Sequence, residues 1–578
     1  MSSAAYNELI TKTFRDDAIR SVMMIDDDFV PYDELCKHDF SFANLSISKQ
    51  RGTEKAASIH RFFQEKKILC DVDKGDDHVN VERIRKSDLV ILDYHLEKDD
   101  PTKSLNLLSN LSLTEHMNLV VIYTREELEK VWLTAAACLA GSADFEDLFF
   151  AKPDLTTFWD EKTDFSSEIP PEWSERITSA DLQHYLNCGQ VTPPTLKWFG
   201  EELRAHGKEV AKIMCERQLS NLNLIKADKN SLNFCGENGD VKWIQIGNVF
   251  VVLHRKTVTD NPNEPSEIWS AIQNALIAWK PSYYQMIISE MQNRLENEAI
   301  SFAKNLAHDL EGQAAWLHEI LSKNNPMERQ SSVNQLFERL TEELRIKLYE
   351  NPTLREMQIS TFNVLEKIFL QDTISMINFS ASHLKLNQRE SLTIDLGHAL
   401  NYALCTRDFD GNYVTSGTVL CDNEDHTKWY LCVAPACETV PLQATGLLAK
   451  RLKPHRMMKV LQLEKATLAE ALNVATDSNH IFIKDMKLVR RAFSVLNPIS
   501  KQPVVDYALI MNHDSSSKQI RTDGISVCFL ELDENSEFVT KERKLIPVSQ
   551  LRDIYTARYQ AIASHHTGRI GVDFVKFS

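Results

Sequence analysis

Glycine is scarce in this chain, 17 of 578 residues. Because glycine serves turns and left-handed backbone, the scarcity leans the reading toward helices. No uncharged apolar run approaches the roughly 18 residues of a membrane-spanning helix, so no membrane association is expected. The opening MSSAAYNELITKTFRDDAIRS lacks the basic-then-apolar layout of a secretory leader. There is no C-x-x-C pair among the 11 cysteines; the nearest two are Cys432 and Cys437 in LCVAPAC. Scattered, odd-numbered thiols fit reduced cysteines buried as small hydrophobes, and the cytoplasm is the expected compartment. Positive charge is also short: 65 Lys and Arg stand against 82 Asp and Glu, a formal net charge of -17. Such a field repels phosphate backbones, so nucleic-acid binding would need a local basic patch. A Walker loop, an H-E-x-x-H helix, a nucleophile elbow and a helix-turn-helix are all missing.

What is present is ordinary for folded protein: 43% hydrophobic and 25% charged residues. At roughly 150 residues per domain the length suggests about four domains. Residues 1–160 alternate apolar runs (SVMMI, DLVILDYHL, LVVIYT, LFFAKP) with helix-like stretches such as EKAASIHRFFQEKK and REELEKVWLTAAACLAG. Continuous apolar strands alternating with helices predict a doubly wound, five-stranded parallel sheet covered on both faces. Residues 161–265 read as a linker, then helices, then a hairpin in which Asn238-Gly239 separates LNFCGE from DVKWIQIGNVFVVLHRK. Residues 266–395 read as helical, with Ile288, Met291, Leu295, Phe302, Leu306 and Leu310 near one stripe. Residues 396–578 are strand-rich and predict a β-rich (α+β) domain, a small antiparallel sheet or barrel with a helix inserted near 463–475.

One constellation in the first region carries chemistry. SVMMI ends at Asp26 and Asp27, LVIL at Asp93, VVIY at Thr124, and LFFA at Lys152-Pro153. In an open parallel sheet, ligands bind beyond the carboxyl ends of the strands, so these side chains converge on one crevice. Clustered carboxylates repel one another, and a hard divalent cation such as Mg²⁺ relieves that repulsion with oxygen ligands.

On this ordered set, about residues 18–155 resemble the receiver domain of two-component response regulators, which has a flavodoxin-like fold. The resemblance implies phosphoryl transfer from a phosphohistidine on a sensor histidine kinase to Asp93. It makes Asp26, Asp27, Asp93 and the backbone carbonyl of His95 the Mg²⁺ site. Lys152 and Thr124 would stabilise the phosphoryl group, and Phe149 would be the aromatic that moves with phosphorylation. Three departures stand out: an insertion around 31–80, YHLEKDD after the acceptor without the usual Pro and Gly, and Arg125 where a small residue is common.

Weaker signals complete the reading. His308 in FAKNLAHDLEGQ faintly resembles a kinase phosphoacceptor histidine, but no ATP-binding half follows, and a surface histidine is the simpler account. Asp408, Asp410, Asp422, Glu424, Asp425 and His426 could ligate a metal, as in a receiver-gated nuclease, or merely populate hairpin turns. The basic clusters Lys450–Lys459 and Lys484–Arg491 are candidate nucleic-acid or acidic-partner surfaces. The helical region could serve an effector protein or a homodimer. The expectation is a response-regulator-like protein with an atypical output, in a layout similar to receivers of bacterial anti-phage defence operons. The alternatives are the gated enzyme and a phosphate-sink or scaffold protein.

Overall fold

The structure is a computed structural model that describes residues 2–76, 81–97, 100–113, 117–143, 158, 170–230, 232–257, 261–298, 309–323, 326–370, 374–384, 386, 388–411, 413–439, 447–511, 517–532 and 535–568. The chain divides into two compact units, Met1–Ile374 and Ser375–Ser578.

The first unit is built on a seven-stranded mixed sheet in the order β2-β1-β3-β4-β7-β6-β5. Its strands are β1 (Ser21–Ile25), β2 (Leu69–Asp73), β3 (Leu89–Asp93), β4 (Asn118–Thr124), β5 (Phe234–Asn238), β6 (Lys242–Ile246) and β7 (Val249–Arg255). Strands β2, β1, β3, β4 and β7 run parallel, and β7, β6 and β5 form an antiparallel meander. The apolar runs are continuous because both faces are covered. On one face Val22, Met24, Ile91, Val121 and Phe250 pack on Ile59, Phe63, Ile272 and Trp279. On the other, Met23, Val90, Leu92, Ile122 and Val251 pack on Leu105, Leu108, Trp132 and Ala135. The helices supplying these residues are Ile47–Glu65, Thr102–Ser112, Leu128–Ala140 and Glu264–Trp279.

The sheet therefore extends beyond the five strands expected. LFFA, expected as the fifth, lies outside the described residues, and the strand paired to β4 is β7, far along the chain. The cause is local. The run DVKWIQIGNVFVVLHRK reads as one hairpin arm, yet Gly247 (φ +51°) and Asn248 fold it back as two strands. A Cβ at Gly247 would come within 2.5 Å of the Ser112 carbonyl oxygen, so glycine is required there. The Trp132 indole then donates to the Trp243 carbonyl at 2.9 Å, pinning the new edge to the helical layer.

Among the described residues between 264 and 370 lie the helices Glu264–Trp279, Tyr283–Glu298, Pro326–Glu350 and Pro352–Leu370. The expected apolar stripe is not the buried face. Ile288 is 40% exposed and Leu310 73% exposed, whereas Met286, Ser289, Glu290 and Asn293 are buried. Polar contacts decide that face: the Asn293 amide donates to the Thr13 carbonyl at 3.0 Å, and Glu290 pairs with Arg294. Phe302 and Leu306 lie outside the described residues.

The second unit carries β8 (Thr406–Asp408), β9 (Thr418–Asp422), β10 (Trp429–Cys432), β11 (Arg456–Ala466), β12 (His480–Lys484), β13 (Arg490–Ser494), β14 (Val505–Ile510), β15 (Ile525–Leu532) and β16 (Phe538–Leu551). Six of them close on themselves in the order β10-β9-β16-β15-β14-β11, with β11 returning to β10. This is the expected barrel, and closure leaves those six without a free edge. The expected inserted helix is Leu468–Asn473, started by a Thr467–Glu470 capping box.

Phe250 is fully buried against Trp243 and Trp279 at centroid distances of 5.7 and 5.0 Å. Phe250→Ala is expected to destabilise the first unit by about 3–5 kcal/mol. Tyr349→Ala, at a side chain 86% exposed, should change stability by less than about 0.5 kcal/mol. Chemical denaturation of the full chain, following the first unit's transition, checks both.

Candidate functional site

Four strand ends meet at the carboxyl edge of the parallel strands. Asp26 follows β1, Asp93 ends β3, Thr124 ends β4, and Lys256 follows β7. Asp26 and Asp93 are buried, at 3% and 8% exposure, and Asp27 is half-buried. The carboxylates of Asp26, Asp27 and Asp93 each offer an oxygen within 4.8 Å of the others. It is the one such group of three potential metal ligands among the described residues.

Backbone turns aim these side chains. The Asp26 amide donates to the Asp73 carbonyl at 3.2 Å, and the Asp28 amide donates to Asp26 Oδ1 at 3.0 Å. The His95 amide donates to Asp93 Oδ1 at 3.3 Å. The outer oxygens face one cation, since Lys256 Nζ lies 2.9 Å from Asp26 Oδ2 and 2.8 Å from Asp93 Oδ2. Burial, and then the Asp26 charge, push Asp93 up to about 7 against the pull of Lys256. Burial, followed by Asp26 and Asp28, also raises Asp27. Burial opposes the charge on Lys256, but Asp26 and Asp93 together outweigh it and hold the ammonium above its ordinary value.

The expected site residues fare differently. Asp26, Asp27 and Asp93 come together, His95 lies two residues beyond Asp93, and Thr124 is buried beside them, its carbonyl accepting from the Lys256 amide at 2.6 Å. Lys152, Phe149 and His308 lie outside the described residues. The ammonium that bridges the carboxylates belongs to Lys256, which sequence reasoning did not single out. Its signal was there: FVVLHRK is an apolar, β-branched run ending in Lys, preceded by the two-residue turn Gly247-Asn248. Three residues before Lys256 stands Leu253, a buried side chain without a ring.

Around the pocket a second network forms. Tyr123 donates to Glu264 Oε1 at 2.6 Å, Lys55 pairs with Glu264 Oε2 at 2.8 Å, and the Thr257 amide donates to Glu264 Oε1 at 3.0 Å. The Ile47–Glu65 helix reaches the pocket through Gly52, where a Cβ would lie 2.5 Å from the Asp28 carbonyl oxygen.

Three of the candidate acids of the second unit, Asp408, Asp410 and Asp422, are engaged elsewhere, as is Asp425. Asp422 is buried against Arg543 at 3.0 Å, and its other oxygen accepts from the Glu424 and Asp425 amides, an Asx turn. Asp408 accepts from the Tyr402 hydroxyl, Asp410 pairs with Arg407, Asp425 pairs with Lys428, and His426 Nδ1 lies 3.1 Å from the Asp422 carbonyl. The Lys484–Arg491 cluster is partly neutralised: Arg490 pairs with Asp395 and Arg491 with Asp485. No helix among the described residues is long and apolar enough to cross a membrane.

Residues 18–164 match the family model described as the response receiver domain, about the first quarter of the chain. The matched span ends before β7 and Lys256. Neither the curated proteins nor the solved structures yield a match to the chain.

Removing the Lys256 ammonium would leave two buried carboxylates facing each other. Lys256→Met is expected to destabilise the first unit by about 3–5 kcal/mol in EDTA, measured by chemical denaturation. Gly52→Ala should cost about 1–3 kcal/mol, because the helix must move off Asp28.

Proposed function

We propose that the first unit accepts a phosphoryl group on Asp93 from a phosphohistidine of a partner histidine kinase, and that this charge change switches an output that includes the barrel unit. Receiver domains carry out response-regulator-type phosphoryl acceptance, and the receiver match covers Asp26, Asp27, Asp93 and Thr124. The observation that carries the reading is the buried Lys256 ammonium between Asp26 and Asp93, with Asp27 beside them.

The residues fit a divalent cation. With all three carboxylates ionised, one ammonium would leave two negative charges for a cation to offset, and hard oxygen donors suit Mg²⁺. Asp26, Asp27, Asp93 and the His95 carbonyl are the candidate ligands. When bound, the ion would offset the charge of the incoming phosphoryl group.

In the reaction an Asp93 oxygen attacks phosphorus, an O–P bond forms, the P–N bond to the donor imidazole breaks, and the imidazole leaves. Lys256 already lies against Asp93 and stays to pair with the acyl phosphate, while the Thr124 hydroxyl donates to one of its oxygens. The work of the protein is positioning and charge compensation rather than covalent chemistry. Placing a doubly charged group where a carboxylate was re-pairs Lys256, and Thr257 and Glu264 follow it in the chain and in the hydrogen-bond network.

Incubation with a phosphorylated histidine kinase and Mg²⁺ should label the full chain. Asp93→Asn should abolish the label, and Lys256→Ala should lower its rate or yield by about tenfold or more. Lys152→Ala should leave it near wild type. Label persisting on Asp93→Asn contradicts the acceptor assignment, and loss in Lys152→Ala with retention in Lys256→Ala reverses the lysine assignment.

A further inference from the structure

Beside the carboxylate pocket lies a cavity of about 430 Å³, bounded by the Ile47–Glu65 helix, the ends of β4 and β7 and the start of the Glu264–Trp279 helix. It is of the size of small-molecule sites. Asp26 and Lys256 form part of its wall, so it meets the carboxylate pocket at Asp26, one of the candidate cation ligands. Two of its charge pairs are already internal, Lys256 with Asp26 and Lys55 with Glu264. Two basic residues are not: Arg51 and Arg125, both exposed, line the cavity and form no ion pair among the described residues. Thr257 also lines it, and its hydroxyl is buried with no hydrogen-bond partner among the described residues. A buried hydroxyl left unpaired costs free energy that a ligand oxygen would recover.

We propose that this cavity binds a phosphorylated small molecule as its complex with a divalent cation, with phosphate oxygens against Arg51, Arg125 and the Thr257 hydroxyl. Guanidinium forks match phosphate geometry, which favours an oxyanion over a neutral ligand. The cavity is also lined by the acids Asp26, Asp28 and Glu54, whose charges would repel a free anion. A cation held in the carboxylate pocket at Asp26, against the phosphate, would offset that repulsion. The inference rests on the reading of Asp26, Asp27 and Asp93 as a cation pocket, and it adds a second ligand that is bound rather than transferred.

The test is calorimetric titration of the full chain with ATP and with pyrophosphate, each with Mg²⁺ and again in EDTA. Mg²⁺ alone is titrated in parallel. At least one probe is expected to bind in Mg²⁺ and not in EDTA, and Arg51→Ala should weaken it by about tenfold or more while binding Mg²⁺ as wild type does. The proposal is overturned if neither probe binds, if Arg51→Ala binds the probe equally well, or if binding is undiminished in EDTA. Mg²⁺ binding and Asp93 labelling with no probe bound would remove this site and leave the phosphoacceptor reading intact. Absence of Mg²⁺ binding would overturn the cation pocket and this inference with it.

Discussion

The first unit is organised around the ammonium of Lys256, a side chain 11% exposed. Lys256 joins the ends of β1, β3 and β7, strands separated in sequence by as much as 230 residues. Its ammonium sits between two carboxylates that would otherwise repel each other. A buried charge is tolerable only where its partners are in place, so each member of the set depends on the others. This ties the site to the fold: β7 must lie beside β4 for Lys256 to reach Asp93, and β7 lies there because Gly247 and Asn248 reverse the chain.

Most of the parallel sheet could be read from sequence because its cause is local. SVMMI, LVILD and LVVIYT are continuous apolar runs, and each stops at the residue that faces the crevice, Asp26, Asp93 or Thr124. Lys256 could not be read in the same way. LFFAKP has the right composition at the expected distance, whereas FVVLHRK stands behind an intervening helical segment and a hairpin. Only pairing to β4 distinguishes β7 from an ordinary hairpin arm, and pairing is a long-range property. The barrel was foreseeable from short strands between turn clusters. Its closure depends on β10 meeting β11, which composition does not encode.

Burial also overrode pattern in the helical stretch. The Ile288, Met291 and Leu295 positions have the spacing of a core stripe, yet Ser289, Glu290 and Asn293 face inward. Hydrogen bonds from that polar face to the Thr13 carbonyl and within the Glu290–Arg294 pair compensate its burial. In the second unit, Asp422 is likewise an acid whose role is structural: Arg543 and two backbone amides occupy its oxygens. Acids that hold a turn and acids that hold a cation look alike in sequence, and their partners separate them.

The central claim is that Asp26, Asp27 and Asp93 form one divalent-cation pocket neutralised in part by Lys256. Calorimetric titration of Mg²⁺ into the full chain and into Asp27→Asn tests it most directly, because Asp27 carries no bond to Lys256 and its replacement leaves that buried pairing in place. The account predicts a single saturable site in the wild type that is lost or weakened by at least about tenfold in the variant. Equal Mg²⁺ affinity in the two proteins, or no saturable binding in either, would contradict it.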